Sequence, residues 1–435
     1  MRSTPTAQDA APIADAMRSY WEREMLSFSI PAHSGGRGPA PEFTGWAGMD
    51  AARFDLPMAH GVDTRNMSRQ VQSSAQKLFA EAIGAQQTMF STNGSSMNVH
   101  VAMMTVAGPG ETLVMARNGH KSAFAGLVLS GARPVYVEPS FDEELELALD
   151  PRAEDLARIL DAHPEARAAM VTTPSYYGTA ADIRALAEVC HERGLPLVTD
   201  DAWGLDYEIV GHPDLPPGAL KQGSDLAIGS AHKALTGLCQ TSVLSVGSDR
   251  IDTERLGLCC ELKESTSASA LLLWSIDGAR RQFVRDGHEL LERGLQSARL
   301  LRRRLAAEVP VLEVVSSEEL ASRPGVSGAD PTHVLIETAP VGLSATRPTT
   351  GCARSARSTS ISPTTGGSCR SSPSPTARQR STGSCALCAP GRRARRLCGP
   401  GPGLRAEVSD RERAAHGAGD ASPRRLLRAD AEREA

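Results

Sequence analysis

From Gln70 to Thr199 short apolar runs alternate with amphipathic ones, and this rhythm constrains the fold more than any other feature of the chain. Helices are expected at Gln70 to Ile83, Met97 to Val106, Ser122 to Ser130, Ala153 to Ala162 and Ala181 to Arg193, where apolar residues recur at helical spacing. Strands are expected at Gln87 to Ser91, Thr112 to Ala116, Pro134 to Val137, Ala168 to Thr172 and Leu197 to Thr199. Short continuous apolar strands joined by helices are the pattern of a parallel sheet covered on both faces, so the fold class is α/β. Ligands in such sheets bind beyond the carboxyl ends of the strands, which directs attention to the residues just after each run.

A helical opening at Ala11 to Leu26 and the loop Pro31-Ala-His-Ser-Gly-Gly-Arg-Gly38 precede this region. Ile251 to Ala307 is largely helical and leads towards a smaller domain whose first strand is expected at Val311 to Val315. The divisions read from sequence are an N-terminal segment 1–65, a large domain 66–310, the start of a small domain 311–344, and a tail 345–435.

Composition narrows the function classes. A chain of 435 residues with 40% hydrophobic and 23% charged residues has material for two domains. Its formal net charge of -4 gives no global attraction to nucleic acid or anionic lipid. No run approaches the ~18 apolar residues of a membrane span. Met1 to Ala16 carries two acidic residues and no apolar h-region, so a soluble cytoplasmic protein is expected. Nine cysteines in this length do not make a disulfide scaffold, and reduced thiols are the default.

The tail differs in kind. Ala345 to Ala435 contains no Lys, Phe, Trp or Tyr, is rich in Arg, Ser, Thr, Pro and Gly, and holds Cys352, Cys369, Cys385, Cys388 and Cys398. A nucleic-acid-binding disordered tail lacks aromatic residues for base stacking, and a metal knuckle at Cys385 and Cys388 lacks a regularly spaced second pair. No metal site is expected. Moving the reading frame back by one base lets Ala345 to Arg354 read Gly-Tyr-Ala-Ala-Asp-Asp-Trp-Leu-Arg, and gives Thr364 to Thr376 an ending Val-Met-Pro-Leu-Leu-Thr-Phe-Ala-Asp. Aromatic and apolar patterning return, so the segment after about Ser344 reads as out-of-frame translation of a GC-rich gene.

Four segments beyond strands carry chemistry. Ser91-Thr-Asn-Gly-Ser-Ser96 opens a helix, where free N–H groups and hydroxyls suit a phosphate, although an ordinary helix cap uses the same residues. Arg117-Asn-Gly-His-Lys-Ser122 brings His120 to the same sheet edge. Leu197-Val-Thr-Asp-Asp-Ala-Trp203 ends a strand in two carboxylates, which suit a metal, a general base, a helix cap or a protonated ring nitrogen. Asp225-Leu-Ala-Ile-Gly-Ser-Ala-His-Lys233 puts a lysine at the end of a buried strand, a costly placement unless the amine is used. An aldehyde cofactor such as pyridoxal phosphate needs a Schiff-base lysine, a carboxylate facing its ring nitrogen, a stacking group and a phosphate cup. The combination outweighs the four separate bland readings.

These motifs resemble the pyridoxal-phosphate-dependent ornithine/lysine/arginine decarboxylases of the aspartate-aminotransferase fold, over about Phe28 to Glu337. The segments that carry the resemblance are Ser230-Ala-His-Lys233 with Gln240-Thr-Ser242, Arg117 to Ser122 with Gly131-Ala-Arg-Pro-Val-Tyr136, Asn93-Gly-Ser-Ser96, and Asp330-Pro-Thr-His333 at the entry to the small domain. The re-read tail resembles what the family has next. The resemblance implies a fold type I large domain, a mostly parallel sheet between helices, followed by an incomplete or disordered small domain. It implies that Lys233 forms the Schiff base, Asp200 pairs with the pyridinium nitrogen and His120 stacks on the ring. Ser95, Ser96, Ser230 and His232 would hold the phosphate or its surroundings, and Trp203 would line the ring pocket. The implied reaction releases carbon dioxide from a basic amino acid to leave an amine of the polyamine class, in a homodimer or larger assembly.

The family's Pro-Gly-His-Lys stands here as Pro31-Ala-His-Ser34, which removes a basic residue near the active-site mouth. An aminotransferase or β-eliminating lyase would show the same lysine and aspartate. An inactive paralogue acting through its tail is the reading from a different class.

Overall fold

Seven apolar runs build one sheet: β1 (Gln87–Ser91), β2 (Thr112–Ala116), β3 (Arg133–Val137), β4 (Ala166–Thr172), β5 (Leu197–Asp200), β6 (Leu226–Gly229) and β7 (Ser242–Val246). Their spatial order is β1-β7-β6-β5-β4-β2-β3. β7 runs antiparallel to both neighbours, and the other four pairings are parallel. The computed structural model describes residues 6–23, 28, 30–38, 41–58 and 70–337. All of them fall in one unit, Met1–Ser368. The tail from 345, its cysteines and the reading-frame expectation lie outside the described residues, as does the end of the 311–344 segment.

β2, β5, β6 and β7 are buried at every position, which is why their sequences read as continuous apolar runs. Successive residues still serve opposite faces. Leu113 and Met115 pack with Met97, Val101 and Leu256, while Val114 and Ala116 pack with Leu156, Leu160, Ile183 and Leu186. Each such fully buried aliphatic side chain contributes ~1.5–3 kcal/mol. Helices Gly94–Val106 and Thr253–Lys263 cover the first face, and Ala153–Ala162 and Ile183–His191 the second. Gly126 lets helix Lys121–Ser130 lie close against Gly94–Val106, since a Cβ there would stand 2.3 Å from Met103 Sδ.

A third cluster joins helix Pro12–Glu22, helix Gln70–Ile83 and the long helix Ala270–Glu308 through Ile13, Met17, Phe79, Ile83, Leu273 and Phe283. The fully buried Arg280 pairs with Asp277 at 2.9 Å and donates to the carbonyls of Gln8 and Ala10. Asp277 in turn accepts from Ile13 N at 3.2 Å. The N-terminal segment is thereby fastened to the long helix. Strand Glu313–Val315 pairs antiparallel with Leu335–Glu337. Gly328–Ala329 pairs with Thr179–Ala180, which brings residues 328–333 back beside the loop after β4. The four described cysteines, Cys190, Cys239, Cys259 and Cys260, are free. No described helix is long and apolar enough to cross a membrane.

Candidate active site

The carboxyl ends of β2, β4, β5 and β6 surround a cavity of about 170 Å³ lined by Ser95, Asn118, His120, Ser175, Tyr176, Tyr177, Asp200, Trp203 and Lys233, among others. β5 ends at Asp200, and β5 pairs with β6 so that Asp200 stands opposite Ile228. The chain then leaves β6 at Gly229 and turns through the short helix Ala231–Ala234, which carries Lys233 to the same edge. Lys233 Nζ lies 5.0 Å from the centroid of the Trp203 ring.

Burial dominates the electrostatics. It raises the Asp200 carboxyl to about 6 against the opposing pull of Lys233, and it lowers the Lys233 ammonium against the opposing pull of Asp200. The lowered lysine is more readily a free amine. Asp200 Oδ1 is buried with no hydrogen-bond partner, as are Asn118 Oδ1 and Ser230 Oγ. Unpartnered buried oxygens are costly in a finished site and fit one that awaits a donor.

His120 caps helix Lys121–Ser130 by accepting from Ser122 N at 3.3 Å on Nδ1, which places the neutral ring's proton on Nε2. Burial first, then Lys233 and Lys121, lower its pKa, so the ring is neutral and suited to stacking. Ser95 stands in the first turn of helix Gly94–Val106, whose Asn93 N-cap makes no side-chain capping bond. The N–H groups of the first turn are left without a side-chain cap, apart from Gly94 N, which donates to the Gln240 carbonyl at 2.8 Å.

Five of the eight residues singled out in the sequence line the cavity: Ser95, His120, Asp200, Trp203 and Lys233. Ser96, Ser230 and His232 are not among its lining residues. His232 donates from Nδ1 to the Thr241 carbonyl at 2.7 Å, holding the 237–241 loop against the lysine turn. The Gln240 carbonyl in that loop accepts from Gly94 N at 2.8 Å, which joins the loop to the first turn of helix Gly94–Val106. The loop Pro31 to Gly38 contributes nothing to this cavity; His33 instead meets Asp55 at 3.3 Å. Sequence reasoning assigned no role to Asn118, Ser175, Tyr176 or Tyr177. The last three follow the apolar run Ala168 to Thr172, so the strand-end rule reaches them.

A family model for the Orn/Lys/Arg decarboxylase major domain matches residues 11–335. The chain belongs to the Orn/Lys/Arg decarboxylase family. An arginine decarboxylase of Bacillus subtilis is 34% identical over 337 residues, spanning 78% of this chain and 68% of that protein. One from Halalkalibacterium halodurans is 33% identical over 77% of this chain and 68% of its own length. Lysine decarboxylase A from Pseudomonas aeruginosa superposes with a TM-score of 0.63 at 21% identity, over 76% of this chain and 52% of that one. The chain therefore spans about half the length of that solved relative. The fold is the type I fold of pyridoxal-phosphate enzymes, and the family's cofactor is pyridoxal 5'-phosphate.

The residues present fit that cofactor. Asp200 Oδ1 is buried without a hydrogen-bond partner, Ser95 in the first turn of helix Gly94–Val106 lines the same cavity, and so does a lysine of lowered proton affinity.

Proposed function

We propose that this chain decarboxylates a basic amino acid, with arginine the first candidate and lysine and ornithine the others. The observation that carries the reading is the convergence of Asp200, at the end of β5, and Lys233, just beyond the end of neighbouring β6, on one cavity. Arginine leads because relatives at 33–34% identity are named arginine decarboxylases, while an ornithine decarboxylase of Haemophilus influenzae matches at 26%.

Pyridoxal phosphate, when bound, supplies the electron sink that accepts the pair left by carbon dioxide. Lys233 binds the cofactor's aldehyde, favoured by burial that lowers its affinity for a proton. Asp200, in its charged form, keeps a proton on the ring nitrogen; the Lys233 ammonium and the backbone N–H of Ala202 oppose the effect of burial on this carboxyl. His120 is the ring-stacking group, and Ser95 and Ser96 offer the helix N-terminus to the phosphate. Ser230 adds an unpartnered hydroxyl near Lys233, His232 holds the facing loop, and Trp203 closes one side of the cavity. The low-dielectric surroundings strengthen these charge interactions and exclude water from the reacting carbon.

The protein is further proposed to act in the cytoplasm as a homodimer or larger homo-oligomer, with an amine product of the kind used in polyamine biosynthesis. Its proposed organisation is the N-terminal segment 1–65, cofactor domain 66–310, small-domain start 311–344 and out-of-frame tail 345–435, the last tested by resequencing the source DNA.

Carbon dioxide release from labelled arginine, lysine and ornithine in turn tests the reading. Release from one of them with the matching amine as product supports it. A visible Schiff-base band without release from any of the three overturns it.

A further inference from the structure

His333 lies at the entry to the segment after the long helix, yet its ring reaches the wall of the cofactor cavity. Its edge meets Trp203 at 5.5 Å between centroids and 76° between planes. The residue is 3% exposed and held at its ring, its backbone and its Cβ. Nδ1 donates to Asp330 Oδ2 at 3.1 Å, and Asp330 is itself held by Tyr207 Oη at 2.7 Å and Thr332 N at 2.7 Å. The His333 carbonyl accepts from Arg302 Nη2 at 2.7 Å. On the third side the chain gives way: Gly178 has φ +84°, and a Cβ there would stand 2.7 Å from His333 Cβ. Gly178 belongs to the turn whose Tyr176 and Tyr177 line the cavity, and its carbonyl accepts from Asp330 N at 2.8 Å.

An imidazole this confined is placed to act on the cavity, because Trp203 is one of its walls and Gly178 follows Tyr176 and Tyr177, which are others. The Trp203 ring it abuts is the one that faces Lys233 Nζ at 5.0 Å. A ring face at that range favours a cation on the nitrogen.

We infer that His333 is a positioning residue: locked by Asp330, it holds Trp203 in place over Lys233 and so stabilises the protonated form of the Schiff-base nitrogen. The role rests on the proposed function, since it needs Lys233 to carry the cofactor. Nothing in it requires His333 to touch substrate. Asp200, His120, Tyr176 and Tyr177 also face the cavity and set the baseline against which the Trp203 contribution acts.

The test uses His333→Asn, whose amide can still donate to Asp330 while the ring edge is lost, with His333→Ala as the harsher variant. In full-length protein loaded with pyridoxal phosphate, the pH midpoint of the visible Schiff-base band is measured for wild type, H333N, W203L and the double variant. The midpoint is expected to fall by about half a pH unit in H333N and at least as far in W203L. The double variant is expected to match W203L alone, because His333 acts through the indole. An H333N midpoint equal to wild type, or shifts that add in the double variant, would overturn the inference while leaving the cofactor reading intact. Absence of the band in wild type would instead strike at the proposed function. Thermal unfolding of the unloaded variants separates a folding defect from the midpoint shift.

Discussion

Asp200 ends β5 and Lys233 lies in the turn that follows the neighbouring parallel strand β6, and each draws the other towards its charged form while burial pushes both towards neutrality. Burial prevails at both, which favours a free amine on Lys233, and Asp200 Oδ1 has no hydrogen-bond partner.

Lys233→Ala is expected to abolish both the visible band and turnover, since among the described residues no other lysine lines the cavity. Asp200→Asn should keep the band and lower kcat by on the order of 10²–10³-fold, the usual loss when one preorganised charge interaction is removed. Absorbance and single-turnover kinetics on the loaded variants check both.

Within Gln87 to Thr199 the inner strands β2 and β5 are legible because both their faces are buried, so each reads as a continuous apolar run. β7 is not legible as a strand. Ser242 and Ser245 interrupt its apolar pattern, and only in the fold do Asn98 and Thr88 satisfy them, at 3.0 Å each. The site followed the same division. Lys233, Asp200 and His120 sit within a few residues of strand ends and could be placed by that rule. The reach of His333 back to Trp203 depends on the pairing of Gly328–Ala329 with Thr179–Ala180, a contact between segments about 150 residues apart that no local pattern encodes.

Asp150 is fully buried, and burial raises its pKa to about 7 from 3.8 against the opposing effect of the nearby Thr179 hydroxyl. A raised acid stabilises the fold below its unfolded pKa and loses that contribution as pH rises through the folded value. Asp150→Asn should therefore gain stability over wild type at about pH 8, by at most ~4 kcal/mol, with the gain shrinking steadily towards about pH 4. Urea unfolding across that range reads the slope. An unchanged difference between the two proteins would show that Asp150 does not titrate in this window.

Arg280 and Asp277 form an ion pair with no solvent exposure, and Arg280 fastens Gln8 and Ala10 to the long helix. Arg280→Met leaves a buried carboxylate unpaired and should cost about 3–5 kcal/mol. Replacing both partners, with Asp277→Leu added, should recover part of the loss. Denaturation midpoints give the energies, and faster proteolysis near residues 8–13 would locate the release.

The central claim is that Lys233 is the residue that carries the cofactor. Borohydride reduction of the protein loaded with pyridoxal phosphate, followed by peptide mass spectrometry, tests it most directly. The account predicts one pyridoxyl adduct, on Lys233, lost in Lys233→Ala. An adduct confined to another lysine, or none in protein that is folded, would contradict it.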